Sequence, residues 1–177
     1  VGLEVNQIAL FLAAFIFGGA IAQYPIGWIA DKFDRRWVLI ILSLAAIFSS
    51  SLTIIVSSQG TIAIFFAAFI FGFITFPIYS VASAHANDFA KPAQMVELSA
   101  ALIFFFAVGA IGSPILSAKL VEIYGPNALF VFIGLAHVIL VIVSIARMNV
   151  RPSAEIKTSY RYTPRTSFGI AKLIRRR

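Results

Sequence analysis

The chain is built from apolar runs long enough to cross a bilayer, and two of them, Ile8 to Ala30 and Trp37 to Val56, are separated by only six residues. About 20 apolar residues in a helix span the roughly 30 Å hydrocarbon layer. The pattern predicts an all-α integral membrane protein with five transmembrane helices, at about 7–31, 36–57, 61–87, 94–121 and 128–147. Residues 1–147 are expected to form a membrane bundle and 148–177 a basic cytoplasmic tail. Composition agrees: 60% of residues are hydrophobic and 12% charged, against about 25% charged in a soluble domain.

The net charge of +7 would suit a nucleic-acid binder, but its distribution points elsewhere. Nine of the fourteen Lys and Arg residues lie from Arg147 onward. Three more, Lys32, Arg35 and Arg36, sit between the first two runs. That pattern reflects topology and attraction to anionic lipid rather than nucleic acid. No cysteine is present, so a disulfide framework and a thiolate metal site are excluded. No metal or cofactor is expected. The opening from Val1 lacks a basic segment ahead of a short apolar core, so no cleavable signal peptide is read.

The stretch Gly27-Trp28-Ile29-Ala30-Asp31-Lys32-Phe33-Asp34-Arg35-Arg36 must be a tight turn at one membrane surface. Its three basic residues place that surface on the cytoplasmic side by the positive-inside rule. With this sidedness the expected cytoplasmic segments hold thirteen Lys and Arg residues and the outer ones hold Lys119 alone. The first residue then lies outside and the tail inside.

Gly27, Asp31, Lys32, Arg35 and Arg36 resemble, in order and spacing, the loop signature of the major facilitator superfamily. Asp34 stands where that signature has glycine. The resemblance implies one six-helix half of a two-lobed transporter, of which this chain holds five helices. It further implies a span before Val1 and a missing lobe of the same protein. The placements are helices eight to twelve, or two to six followed by a central loop. The opening Gln23-Tyr24-Pro25-Ile26-Gly27 is similar to the second-half version in bacterial transporters, which favours the C-terminal half and a multi-pass protein of the bacterial inner membrane.

The same resemblance implies secondary transport of a small solute by alternating access, the charged turn acting as a cytoplasmic latch. Asp31 would face the positive N-terminal end of a helix in the opposite half. Arg35 or Arg36 would pair with Asp88 at the end of the third helix. The first, third and fourth helices resemble cavity liners, the second and fifth supports. Gln23, Tyr24, Thr75, Tyr79 and Ser99 are the expected cavity residues. No Asp, Glu or Arg lies mid-span, so a proton-coupling carboxylate would belong to the missing part.

Several residues carry two readings. Gln23 is either interhelical glue or a solute contact. Gly72 and Pro77 either build a broken-helix binding site or a packing kink. Ser49, Ser50 and Ser51 are expected to bond back to a helix. His85 reads as a boundary histidine and His137 as a neutral histidine bonded to a neighbour. Gly19, Gln23 and Gly27 share one helix face; Gly109, Ser113 and Ser117 share another, suggesting close helix packing. Asn6 reads as the first helix cap and Pro25 as a bend. An enzyme is disfavoured, since no paired carboxylates or nucleophile constellation appears. A channel lacks a charged ring. A non-transporting scaffold or sensor on the same bundle is the alternative.

Overall fold

The computed structural model describes residues 4–56 and 58–150. It contains five long helices: α1 Val5–Lys32, α2 Arg35–Val56, α3 Thr61–Asn87, α4 Met95–Tyr124 and α5 Asn127–Val150. All five are long and apolar enough to cross a membrane, and no strand occurs among the described residues. Most of the expected tail, 151–177, lies outside the described residues; 148–150 continue α5.

Helix ends follow local chemistry. α1 begins at Val5, so Asn6 lies inside it; the Glu4 N–H instead donates to Gln7 Oε1 at 3.0 Å. α2 is capped by Asp34, whose carboxylate accepts the Arg36 backbone N–H at 3.0 Å. A single 3-10 turn, Pro92–Gln94, leads into α4. α4 runs to Tyr124, three residues past the expected end, and closes on Gly125 at φ 85°. That left-handed conformation suits glycine, as at many helix C-termini. Pro25, Pro77 and Pro114 all lie inside continuous helices. α3 is therefore not broken at Pro77, whose side chain is fully buried.

Short turns make neighbouring helices antiparallel, so α1 and α3 run parallel. α3 packs against both α1 and α2, while α5 packs against α2 and α4. The tightest contact is α1 on α3. A Cβ on Gly18 would overlap the Phe69 carbonyl, and one on Gly72 would overlap the Phe15 carbonyl. Each glycine thus admits the other helix's backbone. Lipid supplies no hydrophobic force between helices, so such close dispersion contact is what holds them together. Phe15 seals the crossing, with ring centroids 5.7 Å from Phe71 and 5.0 Å from Phe76.

Nearer the charged turn, Ala30, Val38, Leu39, Leu42 and Val81 form a buried apolar cluster joining α1, α2 and α3. α2 also buries Ser43, Ser49, Ser50 and Thr53. Ser43 and Thr53 donate to carbonyls one turn back, at 2.7 and 2.8 Å, and Ser51 does the same at 3.0 Å. Ser49 and Ser50 depart from the expectation: neither hydroxyl oxygen has a partner among the described residues. α4 departs too. It has no buried residue, and Gly109 and Gly112 have nothing within 4 Å of a Cβ. Its small-residue face is unpacked among the described residues.

Candidate functional site

Arg35 opens α2 and is 2% exposed. A buried guanidinium needs its donors satisfied, and α1 and the C-terminal end of α3 supply acceptors for its two Nη groups. Nη1 donates to the Asp88 carboxylate and, at 3.1 Å, to the Ala84 carbonyl of α3. Nη2 donates to Asp31 Oδ1 of α1 at 2.8 Å. One side chain thus staples α1, α2 and the end of α3. Asp88 is also buried, at 3% exposure, whereas Asp31 is 36% exposed and keeps one edge open.

Arg36 folds back on Asp34, with Nη2 to Oδ2 at 2.8 Å and Nε 3.2 Å from each carboxylate oxygen. Asp34 thereby caps α2 and neutralises Arg36 at once. No residue but glycine has positive φ among the described residues, so the turn is built without the freedom a glycine at 34 would bring. Lys32 lies over the Trp28 ring, Nζ 3.8 Å from its centroid, a cation–π contact. His85 sets its ring edge-on to Phe89 at 5.2 Å, in the last turn of α3.

Above this knot a cavity of about 590 Å³ opens between α1 and α3. α1 lines it with Gln23, Tyr24, Gly27, Trp28 and Asp31; α3 adds Pro77, Ser80 and Val81. Gly27 has nothing within 4 Å of a Cβ, so its role is space rather than helix contact. Ser80 Oγ donates to Gln23 Oε1 at 3.1 Å, a polar link across the two helices.

Of the five expected cavity residues, Gln23 and Tyr24 line this space. Thr75 does not; its hydroxyl donates to the Phe71 carbonyl at 2.8 Å. Tyr79 sets its ring at a 58° tilt to Phe106 of α4, centroids 5.2 Å apart, and Ser99 donates to the Met95 carbonyl at 2.8 Å. Ser80, beside the Gly72–Pro77 stretch with its binding-site reading, and Trp28 also line it, though neither is among the five expected residues. Ser80 shares the small polar character of Ser83, and only the register set by Gly18 and Gly72 singles it out. His137 bonds within its own helix, Nδ1–H donating to the Ile133 carbonyl at 2.8 Å, not to a neighbouring helix.

The family profile of the Major Facilitator Superfamily matches residues 1–177. The chain belongs to the major facilitator superfamily. Its relatives in that superfamily include the "Uncharacterized MFS-type transporter YcaD" of Shigella flexneri serotype 5b, 34% identical over 133 residues, covering 75% of this chain and 34% of the relative. The protein of the same name in Salmonella arizonae is 32% identical over the same coverage. That of Escherichia fergusonii is 29% identical over 157 residues, 88% of this chain and 40% of the relative. The chain spans 34–40% of the length of these bacterial relatives. Membership and the five spanning helices make it a multi-pass membrane protein. Of the residues that carried the resemblance, Asp31, Lys32, Arg35 and Arg36 lie at the α1–α2 turn, where Asp31, Arg35 and Arg36 are ion-paired.

Proposed function

We propose that this chain is part of a secondary active transporter that moves a small solute by alternating access, working with the helices of a further lobe. One observation carries the reading. The buried Arg35 staple closes one end of an open α1–α3 cavity, and Asp31, a member of the staple, also lines the cavity. A group shared between lock and cavity ties solute access to the lock.

The charged turn is assigned to the cytoplasm, because Lys32, Arg35 and Arg36 cluster there. The open edge of Asp31 faces the N-terminal dipole of a helix in the other lobe, forming the breakable half of the latch. Arg35 and Asp88 form the permanent half, since both are buried. A latch that breaks in each cycle is worth only a few kcal/mol. A proton-coupling group, where one is used, belongs to the rest of the protein. In the described residues the spans carry no carboxylate or arginine at mid-depth.

The test is solute flux in vesicles reconstituted with the full-length protein. Asp31→Asn is expected to slow turnover while solute affinity stays within about twofold. Unchanged turnover would contradict the latch. Absence of any solute-dependent flux would favour the scaffold reading.

A further inference from the structure

The charges around the cavity are matched among themselves. Arg35 is shared by Asp31 and Asp88, Arg36 is held by Asp34, and Lys32 sits on Trp28. Three cations thus stand with three carboxylates, and each cation already has a partner. An anionic solute entering between α1 and α3 would lose its hydration and meet Arg35, whose charge is already shared by Asp31 and Asp88. A cationic solute would meet an Asp31 whose charge Arg35 already shares.

The remaining surface is apolar or aromatic: Tyr24, Trp28, Pro77 and Val81. Against it stands one polar feature. Ser80 donates its proton to Gln23 Oε1, which fixes the amide and leaves its NH2 group as the free donor at the cavity wall. A volume of about 590 Å³ falls within the range of small-molecule sites.

From this we infer the solute class: an uncharged, largely aromatic or apolar molecule bearing a hydrogen-bond acceptor, such as a carbonyl or ring nitrogen, that takes the Gln23 amide. Gln23 is the specificity-determining contact, and Ser80 is a positioning residue that orients it. The inference rests on the reading of this cavity as a solute site.

Photolabelling of the full-length protein in lipid vesicles separates the two. Three matched probes are used: benzophenone carrying a carboxamide, a carboxylate or a trimethylammonium group. The carboxamide is expected to label α1 and α3 beside Tyr24 and Val81, at least tenfold more than either charged probe. Gln23→Leu should lower that labelling about fivefold, the worth of one neutral hydrogen bond. Gly27→Leu, which fills open space and meets no helix among the described residues, should abolish it. Equal or stronger labelling by a charged probe would overturn the solute class while leaving the cavity as a solute site. Carboxamide labelling that ignores both substitutions would also overturn the class, since Gln23 would not be its donor. No labelling of α1 or α3 by any probe would mean that protein fills this space, and would bring down the solute reading itself.

Discussion

Asp88 and Arg36 both stand out as charged residues at helix ends in the sequence and differ greatly in burial in the fold. Asp88 is the buried partner of a buried guanidinium, and its removal strands Arg35 without water. Asp88→Asn should destabilise the bundle by about 3–5 kcal/mol, read as a lowered unfolding midpoint in detergent or bicelles. Arg36→Gln opens a pair whose members are 13% and 27% exposed, and should cost only about 0.2–1 kcal/mol. Equal losses in the two variants would mean that burial does not set the worth of these ion pairs. The network was only half legible in the sequence. Asp88 stood out as an acid at a helix end. The choice of Arg35 over Arg36 depends on a helix rotation of about 100° between adjacent residues, and spacing alone does not fix which of them points at α3. The cap formed by Asp34 is not evident in the sequence, because an aspartate-for-glycine departure reads as a defect until the Arg36 N–H is seen bonding to it.

Helices were legible where the bilayer dictates them. The apolar pattern predicts α3 to its observed ends and stops α4 short at its far end, because Lys119 and Glu122 look like turn residues. They are in fact an exposed i, i+3 pair inside the helix, 3.0 Å apart. Register between helices was not legible. Gly18, Gly72 and Gly109 all sit in small-residue patterns, yet only the first two meet a partner backbone among the described residues. Gly18→Ala or Gly72→Ala must push α1 from α3, at a cost of about 1–3 kcal/mol, because the obstructing atoms are backbone carbonyls that no rotamer can move. Gly109→Ala should leave the midpoint unchanged or raise it slightly, since alanine is the better helix former. Thermal unfolding of the three variants side by side checks this. A destabilised Gly109→Ala beside an unaffected Gly72→Ala would refute the α1–α3 contact as the tight joint.

At the scale of the molecule, order is unevenly distributed. α1, α2 and α3 share a buried cluster beneath a stapled turn, while α4 and α5 bury no residue. The chain covers about a third of the length of the Shigella flexneri relative, and the alternating-access reading assigns a second lobe to the remainder. The joint at Gly18 and Gly72 then makes α1 and α3 move as one piece, carrying cavity and latch together. The sequence conveyed the class of the molecule through its apolar runs and one charged turn. It did not convey the cavity, because Gln23 and Ser80 lie 57 residues apart and meet only through the helix crossing.

The most direct measurement is the sidedness of Tyr24→Cys in a full-length protein whose other cysteines have been replaced. Residues 1–177 contain no cysteine of their own, and Tyr24 is 83% exposed at the cavity wall. A membrane-impermeant maleimide is applied from each side of sealed vesicles, with and without Asp31→Asn. Alternating access held by a cytoplasmic latch requires Asp31→Asn to speed cytoplasmic labelling several-fold and to slow labelling from outside. Rates that are unchanged by the substitution, or that rise together on both sides, would contradict it.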